Sequence, residues 1–519
     1  MIESQPLHVA IIGAGFAGLR CADILIQNGA QVTIFEARDR VGGRVHQSMV
    51  GDHLVDMGPN WIHGTGTNPI VGIAEATGTG IQDFEGTQVL FGFYGEVIGE
   101  QVAMKISEFL WTTIQEAFEY SNNQKEGIPA DRSFLDFFRE RLEERTGFSE
   151  EEKRLCVESC RLWGSYVGSP VERQSLRFFR LEECIDGNNY FVASTYKDIL
   201  NHVSRAALQH ADIRFNQPIV GIKASTSARR EVTLTTATDE THTFDEVVVT
   251  CPLGWLKHNK SAFTPELPPR LSSAIDSISY GRLEKIYVTF PSAFWQTTTT
   301  DTAPGTTNNL TFAQFLNPTY TTHPEDILWN QECFSLAALH GTTAQPTLLF
   351  YTYGPCGTHV VNHLTSLNYT ATPSSQNQEE AQEAQIYLKS LLEPFYSRLP
   401  NFTPSSPSCI PLSFTATTWQ TDPYAGFGSY SNFQTGLIEG DRDIEVLRKG
   451  MGAERGIWFA GEHTAPFVAL GTTTGAFWSG ERVAGEVCMF RGLGVRGMGT
   501  GRDDSLPSCS SGSSDRSGS

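Results

Sequence analysis

The sequence lacks the features that mark secreted, membrane-spanning or disulfide-stapled proteins. Its first residues, Met1 to Pro6, contain neither a basic segment nor an apolar core, so we expect no secretory signal. It has no uninterrupted run of about 18 apolar residues, which predicts no transmembrane helix. The ten cysteines are scattered without a Cys-x-x-Cys pair. We therefore expect buried free thiols, no metal site and a reducing, cytoplasmic location.

Positive charge is also scarce. The chain holds 38 Lys and Arg residues against 58 Asp and Glu residues, a formal net charge of -20. This balance argues against a nucleic-acid surface. It could steer a cationic substrate toward the protein, although solubility alone explains it equally well. The length of 519 residues exceeds what one hydrophobic core usually supports, so we expect two domains.

A dinucleotide-binding pattern opens the chain. The apolar run His8–Ile12 predicts a buried parallel strand. Gly13 permits the tight turn that follows, Gly15 lets the backbone approach a pyrophosphate, and Gly18 lets helix and strand pack closely. The predicted helix, from Phe16 to Asn28, directs the positive end of its dipole toward the phosphates.

The next strand strengthens that prediction. Gln31–Phe35 reads as a second buried strand, and Glu36 follows it in the position that accepts hydrogen bonds from a ribose. A glycine motif alone is weak evidence, but strand, helix, strand and terminal acid in this order are strong evidence. Because Glu36 would repel a 2′-phosphate, NADP is disfavoured.

Nucleotide-domain and substrate-domain features alternate along the chain. Strand signals return at Asp245–Thr250 and Ile457–Ala460, which predicts a nucleotide domain built from separate segments. We assign residues 1–75, 191–280 and 431–491 to the cofactor domain, 76–190 and 281–430 to the substrate domain, and 492–519 to a disordered tail.

Other patterns predict individual elements. Gln378–Leu392 reads as a helix with Asn377 as its N-cap and Pro394 marking its end. A final helix is expected from about Gly475 to Phe490, and a loop over residues 297–309.

Together these motifs resemble the flavin-containing amine oxidases, and within them the polyamine oxidase branch. The likeness runs from about His8 to Cys488. The blocks that carry it are Val9–Gly18 with Glu36–Arg44; Asp56–Gly64 with Asn68 and Pro69; Thr250–Gly254 with Tyr280–Ile286; Trp419 with Asp422–Tyr424 and Gly428–Ser431; and Phe459–Thr464 with Gly471–Ala476.

The resemblance implies a fold and an activity. The fold would be α/β, with a Rossmann-like FAD-binding domain built from discontinuous segments and an inserted α+β substrate domain. The activity would be oxidation of a polyamine C–N bond to an imine and then an aldehyde, with oxygen as the second substrate and hydrogen peroxide as a product. Spermine, spermidine or an acetylated form is the expected amine, with no nucleic-acid or membrane partner. The oligomeric state is left open.

The same resemblance implies the cofactor contacts. Glu36 would bind the adenosine ribose, Ile219 (in a strand predicted over Phe215–Ile219) would meet the adenine, and Glu462 would bind the ribityl or pyrophosphate part. Ser429 stands where a flavin-bonding cysteine precedes the cage tyrosine in monoamine oxidases, so we expect non-covalent FAD. The full implied set is Gly13, Gly15, Phe16, Ala17, Gly18, Glu36, Arg38, Gly43, Arg44, Gly58, Pro59, Asn60, Trp61, Ile219, Trp419, Gly461, Glu462, Thr472 and Thr473.

Three residues are implied in catalysis. Lys285 resembles the lysine that holds a water against the flavin; the alternative is a strand lysine facing solvent. His63 would lie near the substrate amine; the alternative is a histidine that only packs in the wall beside Trp61. Tyr430 matches the aromatic cage, whose walls attract an ammonium and favour its neutral, reactive form.

Two other functions stay open. Thr472 replaces an aromatic partner of Tyr430, so the protein could instead oxidise a bulkier secondary amine of specialised metabolism. It could also be a catalytically silent flavin-fold binding protein, although the presence of Glu36, Arg44, Lys285 and Glu462 argues against this.

Overall fold

The computed structural model of this chain describes residues 6–84, 86–225, 230–296, 309–322, 327–370 and 378–497. No helix in these ranges combines the length and apolarity that crossing a bilayer requires.

In chain order the α-helices are α1 (Phe16–Gln27), α2 (Pro69–Thr77), α3 (Glu100–Gln124), α4 (Phe134–Glu144), α5 (Glu150–Arg161), α6 (Gly164–Val167), α7 (Lys197–His210), α8 (Leu253–His258), α9 (Pro269–Ser277), α10 (Gly354–Ser366), α11 (Gln378–Tyr396), α12 (Gly440–Lys449), α13 (Gly452–Arg455) and α14 (Thr473–Phe490).

The β-strands are distributed over the whole described chain and form several sheets. In chain order they are β1 (His8–Ile12), β2 (Gln31–Phe35), β3 (Gln47–Val50), β4 (His53–Asp56), β5 (Trp61–Ile62), β6 (Ile81–Gln82), β7 (Thr87–Phe91), β8 (Tyr190–Val192), β9 (Asp212–Arg214), β10 (Ile219–Ala224), β11 (Val232–Thr236), β12 (Thr241–Phe244), β13 (Glu246–Val249), β14 (Phe263–Thr264), β15 (Ser279–Tyr280), β16 (Leu283–Thr289), β17 (Leu310–Phe315), β18 (Gln331–Ser335), β19 (Thr347–Tyr353), β20 (Ser413–Ala416), β21 (Ser431–Asn432) and β22 (Ile457–Phe459).

A five-stranded parallel sheet forms the nucleotide-type core, in the order β22-β13-β1-β2-β9. Its apolar strands are buried on both faces, as parallel sheets require. Helices α1, α7 and α14 pack into one of the two apolar clusters that flank it. These strands come from three distant parts of the chain, in agreement with the predicted discontinuous arrangement, whose exact boundaries stay a prediction.

A second, six-stranded sheet has the order β20-β16-β19-β18-β17-β7. Its strands pair antiparallel except for β17 and β7, which are parallel. Helix α11 packs with this sheet in a separate apolar cluster. Helices α3, α4 and α5 form a further cluster beside it, and capping boxes at Ser133 and Ser149 begin α4 and α5.

The structure corrects several predicted boundaries. Helix α11 continues past Pro394 to Tyr396, because Phe395 and Tyr396 are fully buried in the sheet core and their packing holds the last turn. The strand predicted over Phe215–Ile219 is wrong: Asn216 has a φ of 56° in a turn, and β10 begins at Ile219.

Two further differences concern the last helix and the cysteines. Helix α14 begins at Thr473 rather than Gly475, since the Thr472 side chain caps it by accepting from the Gly475 N–H. Cys184 is exposed, unlike the other described cysteines. The predicted N-cap Asn377, most of the 297–309 loop and residues 498–519 of the predicted tail lie outside the described residues.

Candidate active site

One cavity of about 1370 Å³ extends along the carboxyl edge of the parallel sheet to one face of the six-stranded sheet. Among the predicted cofactor and catalytic residues, all except Gly18 line it. Gly18 instead lies under the turn, where any side chain would overlap the carbonyl oxygen of Gly13. Its role is therefore the close packing of helix on strand.

The phosphate-binding end is built from main chain. Gly15 is the N-cap residue of α1, and no side chain caps the free N–H groups of the first turn. A side chain at Gly15 would meet nothing within 4 Å, so the space in front of the helix is open. Gly43, with a φ of 58°, approaches Gly15 from the other side. These open, unpaired donors fit a pyrophosphate.

The adenosine end centres on Glu36. Its carboxylate accepts hydrogen bonds from the Ala14 N–H at 2.7 Å and the Arg38 N–H at 2.9 Å. The Arg38 guanidinium bonds Asp422 at 2.6 Å. Ile219 lines the same end, and the buried amide oxygen of Gln217, also in the lining, has no hydrogen-bond partner. The acceptors at this end, the Glu36 carboxylate and the Gln217 amide oxygen, therefore fit the hydroxyl and amino groups of an adenine nucleotide.

An ion pair closes the middle of the cavity. Arg44 lies 3.1 Å from Glu462 and also donates to the Ser429 carbonyl at 2.6 Å. Ser431 donates to the Glu462 carboxylate at 2.5 Å. Burial opposes the charge on Glu462, but Arg44 and its other neighbours outweigh it and lower the pKa of Glu462 below its ordinary value. The Glu462 carboxylate is therefore ionised, and Arg44 balances its charge.

Lys285 lies on β16 and is only 5 % exposed, which rules out the alternative of a solvent-facing lysine. Its ammonium donates to three oxygens: the Asp56 carbonyl at 3.1 Å, the Gly58 carbonyl and the Asn60 side chain. Burial lowers the pKa of Lys285, and the Asp56 carboxyl offsets only part of this effect. Lys285 is thus a buried amine held in a fixed position by three oxygen acceptors.

The three aromatic residues Trp419, Tyr424 and Tyr430 all line the cavity, at different places. Tyr430 lines the cavity, and its hydroxyl donates to the Tyr166 carbonyl at 2.5 Å. The Trp419 indole donates to the Met57 carbonyl at 3.2 Å. Tyr424 is 41 % exposed and stacks near Arg38, which places it at the adenosine end rather than in a cage with Tyr430.

His63 also lines the cavity. One of its ring nitrogens lies 3.3 Å from the side-chain oxygen of Asn189. Burial lowers the pKa of His63, and the Asn189 hydrogen bond offsets this only in part. The imidazole is therefore largely neutral at neutral pH, a state that could accept a proton from an amine.

Sequence reasoning missed the walls of the substrate end. Glu332, on β18, is 1 % exposed and lines the cavity, as does Glu182. Burial raises the pKa of each carboxyl to about 7. The one available signal for Glu332 was a charged residue inside the strand Gln331–Ser335, which is buried throughout.

Further missed residues are apolar or aromatic and surround the same space. They come from the connection between β6 and β7, from α3, from the α5–α6 region and from the six-stranded sheet, so no sequence motif joins them. The principal ones are Phe84, Leu110, Trp111, Phe118, Trp163, Tyr166, Phe312, Phe334 and Tyr351.

Comparison with known proteins agrees with this geometry. The sequence profile of the flavin containing amine oxidoreductase family matches residues 16–488. Polyamine oxidase 4 of Oryza sativa subsp. japonica is 26% identical over 95% of this chain and 91% of its own length. FLOWERING LOCUS D of Arabidopsis thaliana is also 26% identical, over 93% of this chain and 56% of its own length.

A solved structure shares the fold. A putrescine oxidase variant redesigned in its cofactor binding superposes with a TM-score of 0.66 at 17% identity, covering 93% of this chain and all of that one. The predicted amine oxidase fold, with a nucleotide-type domain and a substrate domain, is therefore confirmed.

Proposed function

The chain belongs to the flavin-containing amine oxidoreductases and its cofactor is FAD; on that premise we propose that it oxidises a C–N bond of a polyamine. Spermine, spermidine or an acetylated form is the proposed amine. The products are an imine, which water converts to an aldehyde and an amine, and hydrogen peroxide from dioxygen.

One observation carries the choice of a polyamine. The substrate end of the cavity is lined by the carboxylates of Glu100, Glu182 and Glu332. Lys285 is the only Lys or Arg in that end among the described residues, since Arg38 and Arg44 lie at the cofactor end. Aromatic rings make up much of the remaining wall. An acidic, aromatic cavity attracts a substrate with several positive charges.

The cofactor end supplies binding and orientation. The α1 N-terminus would hold the pyrophosphate, Glu36 the ribose, and the Arg44–Glu462 pair the central part. When bound, FAD accepts the two electrons and the hydrogen removed from the carbon next to the amine nitrogen.

The chain's own residues prepare the amine. Tyr430 would contact it and, with the neighbouring apolar wall, favour its neutral form by excluding water. His63 can accept the proton that the ammonium loses. Lys285, held by the Asp56–Asn60 segment, supplies a donor group at the junction between the two ends of the cavity.

Non-covalent binding of FAD is part of the proposal. The residue before Tyr430 is Ser429, whose hydroxyl accepts from the Leu283 N–H at 3.3 Å and which offers no thiol to the flavin. We expect acid precipitation to release all the yellow colour into the supernatant. Colour retained in the washed pellet would contradict this.

The test of function is anaerobic flavin bleaching. Purified holoenzyme is mixed without oxygen with spermine, spermidine and their acetylated forms, and the flavin absorbance is followed before and after air is admitted. Bleaching, followed by recovery with stoichiometric peroxide, supports the proposal. A yellow protein that no amine bleaches would contradict it and favour a silent flavin-fold binding protein.

A bulkier secondary amine is the second candidate substrate. The cavity opens through an apolar rim in which Val97, Met104 and Trp111 are 64%, 58% and 52% exposed. In addition, Gly471 lies against the Tyr430 ring, where a Cβ would approach it to 3.4 Å, and neither Gly471 nor the following Thr472 supplies an aromatic wall. Bleaching by N-aryl or N-alkyl secondary amines but not by spermine would favour this candidate.

A further inference from the structure

The direction of the Lys285 ammonium within the cavity depends on three oxygen atoms. An ammonium carries three N–H groups and can only donate hydrogen bonds. Those of Lys285 donate to the Asp56 carbonyl at 3.1 Å, the Gly58 carbonyl and the side-chain oxygen of Asn60. Each N–H therefore has one acceptor, and the positions of these acceptors decide where the ammonium lies.

Two of the three acceptors are main-chain carbonyls that the fold holds in place. The Asp56 carbonyl also accepts from the Tyr287 hydroxyl at 2.6 Å. Gly58 packs so closely against the main chain of Arg44 that any side chain there would overlap the Arg44 carbonyl oxygen. Neither carbonyl can therefore turn unless the backbone between β4 and β5 moves.

The third acceptor, Asn60, is a buried side chain held from the six-stranded sheet. It is 5 % exposed, and its Oδ1 also accepts from the Tyr351 hydroxyl at 2.9 Å. Its Nδ2 lies 3.5 Å from the Tyr287 hydroxyl. Because an ammonium cannot accept, the amide atom that faces Lys285 must be the oxygen. The two tyrosines therefore hold the one acceptor of Lys285 that a side-chain rotation could move.

The sheet places these groups on one face. Lys285 and Tyr287 are two residues apart on β16, so they project to the same side. Tyr351 on β19 pairs directly with Lys285 and projects to that side as well. The ammonium and both hydroxyls thus reach Asn60 from a common surface whose register is set by strand pairing.

We propose that Asn60 is a positioning residue for Lys285, through an amide oxygen that directs the third ammonium N–H and stabilises the positive charge. This role is distinct from the cofactor contact that the resemblance implies for Asn60. Hydrogen bonds from charged donors are among the stronger ones, so removal of this acceptor should act directly on the lysine. The kinetic consequence rests on the proposed function, whereas the contacts do not depend on the substrate.

Other titratable groups around Lys285 are the same in every Asn60 variant. They are Asp56 on β4, Tyr287 on β16, Tyr351 on β19 and Glu332 on β18, two strands away. Burial raises the pKa of all four. A comparison of variants at a single pH therefore reports the change at Asn60 rather than the titration of these groups.

The test measures how readily the Lys285 amine reacts. Holoenzyme is treated at pH 6 with a trace of radiolabelled acetic anhydride, which acylates neutral amines. The peptide that contains Lys285 is counted relative to that of the exposed Lys389. Asn60→Leu has a side chain of similar size without the acceptor. We expect Lys285 labelling to rise roughly tenfold, because the charged form loses a hydrogen bond. Unchanged labelling would overturn the proposal.

Asn60→Asp distinguishes positioning from loosened packing. Its carboxylate keeps an oxygen acceptor and adds a negative charge beside the ammonium, so Lys285 labelling should stay at or below the wild-type value. Asn189→Leu is the matched control, because Asn189 lines the same cavity but contacts His63, and it should leave Lys285 labelling unchanged. An equal rise in both Asn60 variants, or a rise of the same size in the control, would overturn the proposal.

Flavin reduction gives an independent measurement. Asn60→Leu should lower the limiting rate of anaerobic flavin reduction by an amine roughly tenfold, while the Kd for the amine changes less than about threefold. In the Lys285→Met background the same substitution should have no further effect on the rate. Equal losses in both backgrounds would show that Asn60 does not act through Lys285.

Labelling also separates this proposal from the proposed function. If Lys285 labelling responds to Asn60 as expected but no amine bleaches the flavin, the positioning role stands and the oxidase function fails. If amines bleach the flavin but labelling does not respond to Asn60, the oxidase function stands and the positioning role fails.

Discussion

The two ends of the candidate active-site cavity differ in how their charged groups are paired. At the cofactor end, Glu36 accepts from two backbone N–H groups and Glu462 pairs with Arg44. At the substrate end, Glu182 and Glu332 accept only from neutral groups among the described residues, and burial raises the pKa of both.

This difference in charge pairing indicates which kind of ligand each end of the cavity would bind. The cofactor end presents matched charges and open main-chain donors, which suit a dinucleotide that stays bound. The substrate end presents carboxylates without a cationic partner among the described residues. A cationic substrate would neutralise their charge while bound, and its product would then leave the cavity. The most direct way to sharpen this contrast is to change one group at a time at each end.

The largest effect is expected where the two ends meet. Lys285→Met removes the buried ammonium without changing the cofactor contacts, so the rate of flavin reduction by the amine should fall roughly 10²-fold or more. Stopped-flow absorbance under anaerobic conditions measures it. The FAD content should be unchanged, and Lys260→Met, at a surface ion pair with Asp276, is the control. An unaltered rate would remove Lys285 from the mechanism.

At the cofactor end, Glu36→Gln should weaken FAD binding roughly tenfold or more, because an amide accepts the Ala14 and Arg38 N–H bonds and the ribose hydroxyls less strongly than a carboxylate. The dissociation constant for FAD, measured by fluorescence after removal of the flavin, gives the effect. Glu75→Gln on the exposed face of α2 should leave it unchanged. Equal FAD affinity in both variants would show that Glu36 is not a cofactor residue.

At the substrate end, removal of an unmatched charge should stabilise the protein. Burial raises the pKa of Glu332 from 4.5 to about 7. Below about pH 4.5 the carboxyl is protonated in both folded and unfolded chains, whereas above pH 7 it is ionised in both and only the folded state bears the penalty. Stability should therefore fall as pH rises through this window, by about 1 kcal/mol or more.

Glu332→Gln lacks this penalty, so its gain in melting temperature over wild type should grow between pH 5 and pH 8. The titratable neighbours Tyr166, Tyr351 and Cys333 stay neutral there, because burial raises the pKa of each further above neutrality. Calorimetry at both pH values measures the difference, with Glu266→Gln on the surface as control. A gain that is independent of pH would show that Glu332 is not a buried, unmatched charge.

The smallest effect is expected at the rim. Trp111→Ala removes a ring that is about half exposed, so only part of its apolar contact with a substrate is lost. We expect a few-fold rise in KM for N-aryl amines and little change for spermine. An equal rise in KM for both amines would argue against bulkier secondary amines as the substrate class.

Prediction from sequence succeeded where the structure is local. Gly13, Gly15 and Glu36 lie within one strand–helix–strand unit, and their spacing alone placed them around one site. It failed where packing overrode a local signal, as at Pro394, or where residues distant along the chain came together. Tyr351 and Glu332 lie nineteen residues apart, yet they pair across neighbouring strands.

The sequence by itself determined the nucleotide-type unit, the flavin family and the positions of Lys285 and Tyr430, since short motifs encode them. Only the tertiary structure decided that Lys285 is buried, that Glu332 lies two strands away from it on the same face of the six-stranded sheet, and that no described cation pairs with this acid. The physical reason is that strand register and burial arise from contacts between distant segments, which no local pattern of residues specifies.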